Sequence, residues 1–288
     1  MSSDGTEEHP PEREARGPDG GPAVGTRLSA DEIYENVRTE AEEELRRPAP
    51  ALFWSSLAAG LTIGFSFLAS AFLASLAAPP YRIAAAAVGY PLGFIFVVLA
   101  RNQLFTENTL EPIIPLLHRP SGKSFRSVAA LWATVLFGNL LGAAIISGFL
   151  ARTRMLDAAL HPTLVEQASQ ALDGGFWLVA FRAIFAGWLI ALMAWLIAST
   201  KATGAQLVLV WVTTAPISAL GFRHSIAGSV EAFYLAWGGQ VGWGKALFDF
   251  TLPAVLGNVL GGVLLVALLN YGQVAAGRAN HEREQRAH

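Results

Sequence analysis

Six long apolar stretches, separated by short polar links, occupy the chain between two charged ends. Four of them, over 51–77, 125–150, 176–199 and 248–271, are uninterrupted, and each as a helix is long enough to cross a hydrocarbon core of about 30 Å. Pro79 and Pro80 close the first, since proline ends helices. The other two, over 83–117 and 206–237, are broken by polar residues near their middles. The first interruption holds Arg101, Asn102, Gln103, Thr106, Glu107 and Asn108; the second holds Gly221, Arg223, His224, Ser225, Ser229 and Glu231. Charges and amides at membrane depth need a protein interior or a wet cavity around them. Each interrupted region therefore predicts two half-helices joined by an irregular loop.

The ends have a different pattern. Residues 1–28, rich in Gly, Pro, Glu and Arg, bury too little apolar surface to order themselves and predict a disordered tail. Ser29 and Glu32 then form an S-x-x-E capping box, and Ile33, Val37, Ala41 and Leu45 recur every four residues. This predicts an amphipathic helix over 29–47, either solvated or packed on the cytoplasmic face of its own or a neighbouring subunit. Residues 272–288 predict a second cytoplasmic tail, which is basic.

Composition agrees with a lipid solvent. Hydrophobic residues make up 53% of the 288 and charged ones only 15%, with mean hydropathy +0.42. The net charge of −2 comes with no basic stripe, which gives no reason for a nucleic-acid partner. With no cysteine there is no thiolate nucleophile or thiolate metal site, and no metal or cofactor is expected. The first 28 residues lack the apolar core of a cleavable signal peptide, so insertion is expected to begin at the first span. Lys and Arg near the span ends divide ten to four in favour of the side holding both termini, including Arg119 and Arg286 there and Arg82 and Arg154 opposite. The positive-inside rule makes that side cytoplasmic.

The chain also repeats itself. LFGNLLGA at 136–143 and VLGNVLGG at 255–262 share a GNxxG core 119 residues apart, and the same offset carries Leu104-Phe105-Thr106 onto Arg223-His224-Ser225. Each half then has three spans, and an odd number forces the halves into opposite orientations. The expected fold is an all-α membrane protein of six transmembrane helices, built over 51–271 as two inverted three-helix repeats with helices 2 and 5 broken. Broken helices offer free N–H groups and positive dipole ends to a small anion. Gly138 with Gly142 and Gly257 with Gly261 form close-packing GxxxG faces. Asn139 and Asn258, within those turns, are expected to bond the exposed backbone of the breaks or to touch the solute.

PLGFIFVVLARNQLFTENTLEPIIPLL (91–117), LFGNLLGA, GFRHSIAGSVEAFY (221–234) and LPAVLGNVLGG (252–262) resemble the formate/nitrite transporter family in order and spacing. The resemblance, over 51–271, implies an aquaporin-like fold, a homopentamer in the cell (inner) membrane with one pore per subunit, and passage of a small monovalent anion or its conjugate weak acid. It further implies that Thr106 is the pore threonine, His224 the central pore histidine, Asn258 the asparagine of the last span, and Leu104 and Phe105 apolar constriction residues. Ser225 belongs to the same pathway by its place beside His224. The chain departs from the family pattern at Arg223, where an acid is common, and at Gly187, near a usual asparagine.

Arg101 and Arg223 are expected to pair with Glu107, Glu111 and Glu231 across the two breaks. His224, with an unperturbed pKa near neutrality, is expected to exchange a proton with a weak-acid solute. The alternatives are a pore for a neutral solute and a non-conducting scaffold or sensor of the same fold. A hydrolase built on Ser225 and His224 is disfavoured, because sequence neighbours seldom align as nucleophile and base and no GxSxG is present.

Overall fold

The computed structural model describes residues 28–118, 120–153 and 155–287, and of 279–282 and 284–287 the backbone alone. The tail expected over 1–28, apart from Leu28, lies outside the described residues, as do Arg119 and Arg154. Among the described residues every regular element is helical.

Helix α1 (Ala30–Arg46) starts at the capping box: Glu32 N donates to Ser29 Oγ at 3.2 Å and Ser29 N to Glu32 Oε2 at 2.7 Å. Its apolar face buries Tyr34, Val37 and Ala41, with Tyr34 and Val37 packed among Ile114, Trp195 and Val274 of the same subunit. Arg278 clasps it to the end of the chain by bonds to Asp31 (2.8 Å) and Glu35 (2.7 Å).

The spans come next. Helix α2 (Ala49–Leu76) is interrupted at the single residue Ile63; α3 (Pro79–Leu99) ends at the first break, after which come a turn at Glu107–Thr109 and the short α4 (Ile113–His118). Helix α5 (Gly122–Arg152) and α7 (Gly175–Ile197) are continuous. Between them lies α6 (His161–Ala171), where the sequence reads as polar linker; Leu164, Ala168 and Ala171 supply its buried face. The fifth apolar region divides into α8 (Thr203–Ala219) and α9 (Ser225–Gly238). The last rod, α10, runs from Lys245 through Leu252–Gly262 to Leu268–Ala287, so residues 272–287 are helical and continuous with the last span. Its turns widen to π-type over Lys245–Thr251, just before Pro253, which has no N–H to give the preceding turn. Five of these stretches are long and apolar enough to cross a membrane, and Thr203–Ala219 is a shorter apolar helix.

Each half is closed by one interlocking pair of spans. A Cβ on Gly60 would fall on the carbonyl of Asn139, and one on Gly187 on the carbonyl of Asn258, so α2 meets α5 as α7 meets α10, backbone against backbone. Such contact replaces the hydrophobic effect that lipid cannot supply.

Candidate solute pathway

Both broken spans end in the same hydrogen-bonded turn. At α3, Arg101 N donates to the Val98 carbonyl and Asn102 N to that of Val97, both at 3.0 Å, with Arg101 left-handed at φ 55°. At α8, Gly221 N donates to Ser218 at 3.2 Å and Phe222 N to Ile217 at 2.9 Å, with Gly221 at φ 66°. These are paired Schellman caps, which satisfy the last carbonyls of each half-helix. The left-handed position suits glycine in the second break and is forced on an arginine in the first.

Beyond each cap, an asparagine fastens the loop. Asn139 accepts from Phe105 N (2.8 Å) and donates to the carbonyls of Gln103 (2.9 Å) and Ser56 (2.8 Å). Asn258 accepts from Ser225 N (2.8 Å) and donates to the carbonyls of Arg223 (3.0 Å) and Ala183 (2.7 Å). Their equivalence corrects the register of the repeat. Arg101 matches Gly221, Gln103 matches Arg223 and Phe105 matches Ser225, an offset of 120 in the breaks against 119 at the asparagines. His224 is thus the counterpart of Leu104, not Phe105.

His224 caps α9. Its Nδ1 accepts from Ile226 N (3.2 Å) and Ala227 N (3.1 Å), and its Nε2 meets Thr106 Oγ1 at 2.8 Å. An Nδ1 that accepts leaves the ring proton on Nε2, so Nε2–H donates to the threonine. Phe94 closes the ring from the side, edge-on at 4.9 Å. With Ser225 N bonded to Asn258 and Gly228 N to the His224 carbonyl at 2.9 Å, all four leading N–H groups of α9 have partners within the protein. The free N–H groups expected at this break are therefore already taken, because the asparagine and the histidine cap it from both sides.

The remaining candidates divide. Leu104 and Phe105 are buried, and Phe105 packs its ring on Trp132 of α5 at 6.0 Å. Ser225 Oγ is buried without a hydrogen-bond partner and does not engage His224, so no serine–histidine pair exists. The ion pairs expected across the breaks do not form. Arg101 reaches Glu40 of α1 at 3.6 Å, Arg223 Nη2 donates to the Gln170 carbonyl at 2.7 Å, and Glu231 Oε1 accepts from Gln167 Nε2 at 3.2 Å. Their partners come from α1 and α6, whose placement no local pattern announces.

Two cavities flank this layer. The larger, ≈ 580 Å³, has Tyr90, Arg223, His224, Gly228, Glu231 and Phe250 on its inner walls and reaches the half-exposed pair Arg82 and Glu166. The smaller, ≈ 190 Å³, lies under α1 and carries Glu40, Glu43, Glu44, Glu107 and Glu111 around Arg101. His224 is on the wall of the larger and Gln103 and Glu107 on that of the smaller, while Phe94, Leu104 and Thr106, which contact or adjoin these residues, line neither. Phe94, Phe250 and the α1 glutamates gave no functional signal in the sequence, being an ordinary apolar pair and an ordinary solvated helix face.

Capped breaks in two spans, facing each other across an interior layer with a cavity on either side, define a multi-span membrane protein built to pass a solute. The chain belongs to the formate/nitrite transporter family, whose model matches residues 31–272. It is 34% identical over 255 residues to the inner membrane protein YfdC of Escherichia coli (strain K12), covering 88% of this chain and 81% of that protein. It is 28% identical to a probable formate transporter of Methanothermobacter thermautotrophicus, over 78% of this chain and 90% of that one. Among solved structures it is similar to an FNT family ion channel (TM-score 0.73, 20% identity, 85% and 99% of the chains). A pentameric formate channel with formate bound gives a TM-score of 0.67 at 22% identity over 77% and 96%. The fold is thus all-helical and aquaporin-like, and the protein is a multi-pass protein of the cell membrane.

Proposed function

We propose that this protein passes a small monovalent anion of the formate or nitrite type, or its conjugate weak acid, along the route joining the two cavities. The observation that carries this reading is the His224–Thr106 bond, a polar contact at 2.8 Å beside the Phe94 ring, with His224 on the wall of the larger cavity and Gln103 and Glu107, which flank Leu104-Phe105-Thr106, on that of the smaller. Leu104 and Phe94 exclude water, and the Nε2–H and the Thr106 hydroxyl offer a passing solute its hydrogen bonds. Because the leading N–H groups of α9 are occupied, the solute crosses this layer most cheaply as the neutral acid. Asn139 and Asn258 act as clamps on the breaks.

Both termini are assigned to the cytoplasm by the excess of Lys and Arg on their side. Assembly as a homopentamer with one pathway per subunit is supported by the likeness to the pentameric channel. Purified protein in proteoliposomes should swell in stopped-flow mixing with formate, nitrite, acetate or hydrosulfide. Swelling with glycerol alone would establish the neutral-solute pore, a reading favoured by the five carboxylates of the smaller cavity. No response to any solute would leave a non-conducting scaffold.

A further inference from the structure

The face of α9 turned to the larger cavity carries His224, Gly228 and Glu231, spaced i, i+4, i+7 on one side of the helix. His224 cannot take up a proton there without losing its cap, since Nδ1 holds two backbone N–H groups and Nε2 already bears the proton shared with Thr106. Glu231 stands two turns away, about 10 Å along the axis. Only 8% exposed, it is bonded through Oε1 to Gln167, and its carboxyl lines the cavity. Of the arginines lining the cavity, Arg82 pairs with Glu166 at 3.7 Å and Arg223 Nη2 donates to the Gln170 carbonyl, and neither these nor Arg182 bonds the Glu231 carboxyl. A carboxyl at membrane depth with no cation bonded to it marks an ion or proton route.

We propose that Glu231 is the proton donor of the larger cavity, protonating a weak-acid anion before it meets the Phe94–Leu104 barrier. The inference rests on the anion or weak-acid reading above. In the step, the carboxyl O–H bond breaks, the electron pair stays on the carboxylate, and the proton bonds to the anion to give the neutral acid. Water in the cavity then restores the proton from the bulk. The far side agrees with this order: Glu40, Glu43 and Glu44 of α1 outnumber Arg101 there, and their charge repels an anion while leaving a neutral acid free to exit.

Other titratable groups surround the donor. They are Arg82 and Tyr90 from α3, Glu166 from α6, Asp173, Arg182 from α7, and Arg223 and His224 at the start of α9. Further along α9, Tyr234 bonds His161, Arg152 of α5 lies over Trp237, and α10 presents Lys245 and Asp249.

The test is formate uptake by the full chain in proteoliposomes between about pH 5 and 8, with empty liposomes subtracted. Preformed formic acid falls about ten-fold per pH unit in this range. With a resident donor, wild-type flux tracks total formate and stays nearly flat on the acid side. Glu231→Gln, which keeps the size and the Gln167 contact, should fall about ten-fold per unit throughout, and Glu231→Asp should restore the flat limb. A Glu231→Gln profile matching wild type overturns the inference alone, whereas wild-type protein silent towards every solute overturns the reading beneath it. Should the glutamine variant fail to fold, a carbodiimide, which attacks protonated carboxyls, can be applied to wild type. Modification mapped to Glu231 must then remove the flat limb, and a flat limb surviving full modification there overturns the proposal.

Discussion

Replacing Asn258 with leucine, close in volume but unable to hydrogen-bond, removes three bonds at once: Ser225 N–H at 2.8 Å and the carbonyls of Ala183 at 2.7 Å and Arg223 at 3.0 Å. The Ala183 carbonyl keeps its helical partner in α7, so its loss costs about 0.5–1.5 kcal/mol. Ser225 N–H and the Arg223 carbonyl have no such reserve, and an orphaned buried group costs about 1–3 kcal/mol. The sum is about 2.5–7.5 kcal/mol by soluble-protein values, and about 2 kcal/mol if each bond has the average strength found inside membranes. Thermal unfolding in detergent, monitored by tryptophan fluorescence, should lose about 5–15 °C. Asn139→Leu, which removes the equivalent three bonds, should lose a similar amount. A shift below about 1 °C in both variants would refute the claim that the asparagines hold the breaks.

Four further outcomes are expected. His224→Asn keeps a capping oxygen but not the bond to Thr106, so the protein should fold with altered formate flux; flux unchanged at every pH between about 5 and 8 would remove His224 from the pathway. Gly221→Ala should cost about 1–2 kcal/mol in the same melt because φ is 66° there. Arg101→Gly at the equivalent position should cost less than about 1 kcal/mol or nothing, relief of the left-handed strain offsetting the lost, exposed Glu40 pair. The backbone and hydroxyl of Ser29 hold the Glu32 carboxyl below its ordinary range. A depressed acid stabilises above its unfolded pKa, so amide exchange in the first turn of α1 should be slow at neutral pH and quicken as pH falls through that group's titration; exchange independent of pH after correction for the intrinsic rate would count against the capping box.

Much of the architecture is legible in the sequence because the bilayer leaves few options: an apolar run must be helical, and polar residues inside it mark where the chain turns. The asparagines show themselves through repetition, GNLLG against GNVLG. The register of the breaks does not, since short motifs give no sign that one half has gained a residue between Leu99 and Asn139 relative to the other. Only the left-handed pair, Arg101 and Gly221, reveals it. The partners of Arg101, Arg223 and Glu231 are equally illegible, because charge pattern specifies a need for partners without saying which element arrives to meet it. Helix α6 reads as linker for a related reason: its buried face is leucine and two alanines, too faint a stripe beside the polar residues around it.

The clasp between Arg278 and the pair Asp31 and Glu35 imposes an order of events on biosynthesis. These residues are more than 240 positions apart in sequence, so α1 leaves the ribosome long before the arginine that secures it exists. Until Arg278 has been made, the three glutamates of α1 that line the smaller cavity have no tie from α10 to hold their helix in place. A nascent subunit therefore lacks this tie beside the smaller cavity until α10 supplies it.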